Sequence, residues 1–212
     1  MTAVYHPRPD EKGNSVLIRH PSLATPSSSW ADPVITAIFV PDGKVPLKLN
    51  GIAMNSWGPS KDFGAWEIPA EGMEDYAEPE FICSKSLQPA AGAVILEPDG
   101  RVWLVEPTNR FGGYQYTMPK GRTDGKSLRA TALVEVYEET GLAIELTHWL
   151  CDVDRSITRT RFYLAKRIGG SPAACGWETQ ACVLAPVTAL SQLLTHPGDR
   201  QVLDALVVTL EG

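Results

Sequence analysis

Gly121 to Leu142 reads GRTDGKSLRATALVEVYEETGL, and its second half sets the frame for the rest of the chain. Ser127 is a natural N-cap, because its hydroxyl can accept from a free backbone N–H of the first turn. Gly141 is a natural stop, because a glycine tolerates the left-handed residue that ends most helices. The stretch therefore predicts a helix over residues 128–140. On it Glu135, Glu138 and Glu139 are three and four apart and share one face. Like charges at that spacing cost roughly 0.2–0.5 kcal/mol per pair. They also crowd the helix end where the dipole disfavours anions, while Lys126 and Arg129 sit at the end that disfavours cations. No lysine or arginine lies between Arg129 and Glu139. A hard divalent cation held by oxygen ligands would relieve the conflict, with Mg²⁺ the usual occupant and Mn²⁺ a substitute. The same charges also read as a solvated acidic face.

Glu135, Val136, Glu138, Glu139, Gly141 and Leu142 fall in step with the second half of the Nudix box, and Met118-Pro119-Lys120-Gly121 resembles its usual lead-in. The segment is identified on these residues as similar to the Nudix hydrolase family. The resemblance implies that Glu135, Glu138 and Glu139 bind metal. Two positions depart. Val134 stands where the family has an arginine, and the first half is one residue short, with the family's earlier glutamate replaced by the Lys126/Ser127 region. That arginine and glutamate brace each other in the family. Losing one alone would strand a charge, at a cost of several kcal/mol, about 3–5. Losing both is a consistent substitution, with Val134 packing where the arginine stem lay.

Composition permits this reading. The 212 residues suit one large domain, or one domain with a sizeable extension, and the net charge of −6 leaves no general basic surface for a nucleic-acid duplex. Cys83, Cys151, Cys175 and Cys182 show no CxxC spacing, and His6, His20, His148 and His196 are scattered. Reduced structural thiols point to the cytoplasm. The N-terminus lacks the apolar core of a signal peptide, and no apolar run reaches membrane-spanning length.

Residues 1–31, rich in Pro, Ser and charge, read as an arm or poorly ordered lead-in. Residues 32–87 read as an extension packed on the main domain. In it residues 34–40 and 44–49, joined by Pro41-Asp42-Gly43, predict a β-hairpin that could pair in a homodimer. Trp57, Phe63, Trp66 and Phe81 predict irregular, aromatic-stapled structure, with a base-stacking slot the alternative. From residue 88 to 212 the order is strands at 90–96 and 101–106, a short strand at 114–118, the helix, strands at 144–153, 158–167 and 177–184, then helices from Pro186 and Pro197. Periodicity alone gives α+β. The resemblance implies the Nudix fold, an α/β/α sandwich with a mixed sheet between helices.

The family reaction is hydrolysis of a pyrophosphate bond in a nucleoside diphosphate linked to another group. It needs a carboxylate that activates or orients water. Glu178, after the small-residue loop at 169–176, is the leading candidate by resemblance to members with a catalytic glutamate in that region, and Glu138 is the other. Lys120 could hold a phosphate as a point charge, or sit solvated in a turn. Arg155, Arg159 and Arg161 share parity and would point one way from a regular strand, to clamp phosphate or to face solvent. Arg110, Phe111 and Tyr114 flank Gly112-Gly113, where the backbone could approach a nucleotide and an aromatic could stack on its base, or the glycines could simply turn. The run from Asp152 resembles a calcium loop only superficially: Ile157 occupies the required glycine position and Tyr163 the twelfth, so an EF-hand is rejected. The expected activity is that of a Mg²⁺-dependent pyrophosphohydrolase on a small-molecule nucleotide. The alternative is a Nudix-fold binding or regulatory module.

Overall fold

The structure, a computed structural model, describes residues 3–58, 64–71 and 77–211. Phe63 lies outside them. The N-terminal residues form a short antiparallel pair, β1 (Val4–Tyr5) with β2 (Leu17–Ile18). The expectation of a loose lead-in fails here. His6 is buried, and Arg8, Arg19 and His20 are tied by hydrogen bonds to residues more than eighty positions away.

β3 (Ala37–Phe39) and the turn at Pro41-Asp42-Gly43 lie where expected, but their hairpin does not form. β3 joins the edge of the main sheet, while β4 (Lys48–Leu49) pairs with β5 (Ile52–Ala53). So the extension's β-hairpin runs through Asn50-Gly51, both at positive φ. Pro46 has no N–H to give a ladder with residues 34–40. The outer edge of β3 is covered by Thr25, whose N–H and hydroxyl bond to Ile38. α1 (Gly64–Glu71) follows. Trp66 on α1 packs with Trp57 and with Tyr137 at centroid distances of 5.7 Å each. These aromatics are packing, as one of the two readings had it.

The seven-stranded sheet is built from β6 (Gln88–Leu96), β7 (Arg101–Pro107), β8 (Lys120–Arg122), β9 (Leu142–Asp154), β10 (Thr158–Gly170) and β11 (Thr179–Pro186), together with β3. Its order is β3-β11-β7-β6-β10-β9, and β6–β10 is its parallel pair. On its other edge β6 changes partner, pairing with β8 at Ala90–Gly92 and with β7 at Ile95–Leu96. The sheet is split there. Gly92 sits at the split with Pro119 and Lys120 backbone directly over it, leaving no room for a Cβ. The strand expected at Tyr114–Met118 reduces to one bridge, Thr117 to Val105.

Alternation sends Ala91, Ala93 and Ile95 of β6 to one face and Val94 to the other. The first face carries α2 (Leu128–Thr140) and the extension. The second carries α3 (Val187–Leu193) and α4 (Pro197–Glu211), with Val202 and Leu206 in its core. This is the expected mixed-sheet sandwich. Val134 is buried on α2 among the first-face core, as the missing arginine implied. Its burial contributes about 1.5–3 kcal/mol.

Two buried guanidiniums join the extension to the sheet. Arg101 donates to the carbonyls of Ser29, Trp30 and Asp32 and pairs with Asp99. Arg167 pairs with Glu97, both fully buried, and donates to the carbonyls of Leu49 and Ala53. Trp103 Nε1 also donates to Glu97.

Candidate active site

The site begins with α2. Ser127 caps it, accepting from Ala130 N at 3.2 Å, and Gly141 ends it at φ 69° with its N–H on the Tyr137 carbonyl. Buried Ala130, Leu133, Val134 and Val136 fix the rotation of the helix, so Glu135, Glu138 and Glu139 are carried on the remaining side. β8 passes over that side. Gly121 lies directly on the Glu135 carboxylate, and a Cβ there would overlap it. Lys120 N–H donates to Glu139 Oε2 at 3.0 Å. The box lead-in is thus held by the box glutamates.

Glu178 is added from the loop before β11. Its carbonyl accepts from Thr108 N at 2.7 Å, and Gly176 N–H donates to the Glu138 carbonyl at 2.7 Å. The four carboxyls feel one another. Burial first, then Glu139, Glu138 and Glu178, push Glu135 up to about 9, against the pull of Lys126. Burial pushes Glu139 up to about 7, although the charge and N–H of Lys120 oppose it. Burial also raises Glu138 and Glu178. Glu11, in the loop between β1 and β2, raises both of these further; sequence reading had not placed it here, and no local signal connects it to Glu178.

A set of half-buried carboxylates, all shifted upward, is short of positive charge. Their donors are all oxygen, which suits Mg²⁺ or Mn²⁺. In chemistry the residues fit such a cation. In geometry they are not a finished cage: among the described residues no three His, Cys, Asp or Glu side chains stand in coordinating positions. Ligation requires rotation of the glutamate side chains, which their partial exposure allows.

The two faces of the sheet sort the other predicted residues. Gly121 faces α2, so Lys120 turns its side chain to the α4 side. There its ammonium bonds Thr117 Oγ1 at 2.9 Å and lies 4.8 Å from the centre of the Tyr114 ring. Tyr114 also packs on His196 at 4.6 Å and accepts from Arg155 Nη1 at 3.0 Å. Arg155 pairs with Asp199 of α4 at 2.6 Å. Burial first, then the charge of Arg155, lowers the Lys120 pKa. Lys120 thus meets Glu139 through its backbone N–H, while its side chain lies with Tyr114, Arg155 and His196 on the α4 face of the sheet.

Arg159 and Arg161 do not join this group. Arg161 is buried on Asp152 and Glu78, and Arg159 is paired with Asp154. Glu78 also holds Arg129 in the first turn of α2. Glu139 is ten residues further along, about 15 Å at 1.5 Å per residue. Of the three arginines expected on one face, Arg159 and Arg161 stay together and are aimed at structural acids, while Arg155, before the start of β10, leaves them for Asp199 and Tyr114. A cavity of about 360 Å³ lined by Glu67, Glu78, Ser127, Arg129 and Tyr163 belongs to this same far end. Arg110 and Phe111 are exposed on the turn after β7.

A split mixed sheet between helices, resting on a capped helix whose end gathers carboxylates, is the architecture that the resemblance implied. Residues 86–206 match the NUDIX domain model, and the chain belongs to that family. An RNA pyrophosphohydrolase of Caulobacter vibrioides is 39% identical over 61 residues, which take in 28% of this chain and 36% of that protein. The chain thus spans about a third of the curated relative that it matches. Among solved structures, an Ap4A hydrolase of C. elegans in a binary complex superposes with a TM-score of 0.50 at 18% identity, covering 58% of this chain and 98% of that one. A NUDIX hydrolase from Nitrosomonas europaea gives 0.49 at 18% identity, covering 58% and 90%. The first of these likenesses shows the fold.

Proposed function

We propose that this chain hydrolyses a pyrophosphate bond in a nucleoside diphosphate linked to another group, with Mg²⁺ as cofactor and Mn²⁺ as substitute. The observation that carries the reading is the meeting of Glu135, Glu138, Glu139 and Glu178, each with its carboxyl held above the ordinary range. Glu135, Glu138 and Glu139 would hold the cation. When bound, it would neutralise phosphate charge and lower the pKa of a bound water. Glu178 accepts a proton from water or orients it, and its raised pKa makes it a better base than a free glutamate. Glu138 is the second candidate for that task. Lys120 and Tyr114 supply a cation and an aromatic ring at the same edge for phosphate and base. The net charge of −6 argues against a duplex partner. The likeness to an RNA pyrophosphohydrolase supports including a triphosphorylated RNA 5′ end among the substrates tested. Free thiols at Cys83, Cys151, Cys175 and Cys182 support a reducing, cytoplasmic setting.

The competing reading is a binding module that keeps the fold without turnover, motivated by Val134 in place of the arginine. Retention of all three destabilising glutamates argues against it. The test is a panel of ADP-ribose, dinucleoside tetraphosphate, nucleotide sugar and triphosphorylated RNA with Mg²⁺, with product identification. Metal-dependent release of phosphate or nucleoside monophosphate is expected, and Glu178→Gln should lower kcat with little change in metal affinity. Reproducible binding without turnover would establish the module instead.

A further inference from the structure

The loop between β10 and β11 has an unusual problem. Ser171, Pro172, Ala173, Ala174, Cys175 and Gly176 are all small, and Trp177 is the one large residue of the loop that delivers Glu178. Such a loop is ordinarily the mobile part of a scaffold. Here its backbone is held from outside. Arg8 Nη1 donates to the Cys175 carbonyl at 3.0 Å, and Nη2 donates to the Ala173 carbonyl at 3.2 Å and to Asp42 at 3.1 Å. Asp42 N–H donates to the same Ala173 carbonyl at 2.9 Å. His6, buried, brings Nε2 to 3.2 Å from the Thr179 carbonyl. A carbonyl only accepts, so Nε2 carries the hydrogen, leaving Nδ1 to accept from Arg8 N–H at 3.0 Å. His6 thereby fixes the residue that fixes the loop.

These contacts bracket Glu178. Arg8 holds the residues before it, His6 holds the one after it, and Gly176 between them is bonded to the Glu138 carbonyl. The hairpin is itself firmly built. Asp10 Oδ1 accepts from Lys12 N and Asn14 N, and His6 N–H donates to the Val16 carbonyl. Residues 6 and 8 lie outside the family-matched residues 86–206, so the device belongs to the N-terminal arm and not to the matched domain.

We propose that the N-terminal hairpin is part of the catalytic assembly, with Arg8 and His6 as positioning residues that set Glu178. The proposal rests on the hydrolase reading above. A planar guanidinium can reach two carbonyls and a carboxylate at once, which a lysine ammonium on a flexible stem does poorly. The prediction is therefore specific to arginine.

The test uses the full chain with Arg8→Ala, Arg8→Lys, His6→Ala, Glu178→Gln and the Arg8→Ala/Glu178→Gln double variant. Backbone hydrogen exchange is read beside kinetics on whichever panel substrate turns over. In Arg8→Ala the amides of Gly176 and Thr108 should exchange faster, while amides of β6 and β10 keep their rates. Its kcat should fall about tenfold, as a small misplacement of a catalytic group allows, with KM little changed. In the Glu178→Gln background Arg8→Ala should cost nothing further, because its effect acts through Glu178. Arg8→Lys should recover only part of the loss, and His6→Ala should act in the same direction as Arg8→Ala. Unchanged exchange at Gly176 and Thr108, or faster exchange throughout the core, would overturn the clamp. A full tenfold loss in the Glu178→Gln background would overturn its action on Glu178. A wild-type chain without turnover would remove the hydrolase reading and the catalytic half of this proposal, and the exchange result alone would then decide the clamp.

Discussion

The two ends of α2 treat charge in opposite ways. At its start every charge is answered. Ser127 gives its N–H and hydroxyl to Glu67 at 2.9 and 2.6 Å, placing an anion where the dipole welcomes one. Arg129 and Arg161 share Glu78. At the other end three glutamates gather against the dipole, with Glu178 added and Lys120 and Lys126 as opposing charge. A fold that balances buried charge so thoroughly elsewhere, down to the Arg167–Glu97 pair, leaves this end unbalanced. The first end holds the fold together; the second is the end that the proposed function assigns to a cation.

Several measurements can break or sharpen that contrast. The largest expected effect is that of Glu139→Gln. Loss of one charge of this kind should lower the rate about 10²–10³-fold, roughly 3–4 kcal/mol of barrier. The melting temperature should hold or rise, because repulsion in the metal-free protein is relieved. Near-normal turnover would reduce the box to inherited shape.

Metal should act next. At a hundred times its Kd, Mg²⁺ should add about 2.7 kcal/mol of stability. The pH dependence has a fixed sign. Glu135 rises from 4.5 in the unfolded chain to about 9 in the fold. Its stabilising contribution is full below 4.5 and is lost as pH climbs through about 9. Metal-free protein should therefore weaken over that window, and Mg²⁺ should flatten the slope. Denaturant titrations at several pH values, with and without metal, measure both. A flat metal-free profile would mean the carboxylates are already balanced.

Val134→Arg comes third, with an expected loss of about 1–3 kcal/mol from overpacking or an unpaired charge. Thermal unfolding reads it, and equal stability would contradict the paired loss of arginine and glutamate. Ser127→Ala is the smallest. It should cost about 1 kcal/mol through the lost cap and leave metal affinity unchanged. A change in metal affinity on calorimetry would show that the two ends are coupled.

What could be read from sequence follows the range of the interactions. Ser127 and Gly141 act within one turn, so the bounds of α2 were legible. So were the buried Val134 and the strands at β6, β7, β9 and β10, whose patterns are local. The 34–49 hairpin failed because β3 finds its partner in β11, some 140 residues on, and Pro46 spoils the nearer choice. The arm at 1–31 looked loose because its composition is polar. Its order comes from backbone carbonyls at 173–179 and from the side chains of Asn109 and Gln180, distant partners that carry no local sequence signature. Arg159 and Arg161 share a face as expected, but Glu78 and Asp152 claim them. Lys120 and Gly121 fall on opposite faces of β8, and nothing in the sequence says that Tyr114, His196 and Arg155 gather around the lysine.

Arg101 and Arg167 carry a consequence for the history of this chain. Each keeps one carboxylate within residues 86–206, and each directs its remaining donors at carbonyls of residues 29–53. A descendant that dropped the extension would inherit two guanidiniums with half their hydrogen bonds gone, deep in the sheet's flank. Water would have to take up the freed donors at the flank of the sheet, so the extension also keeps two guanidiniums dry.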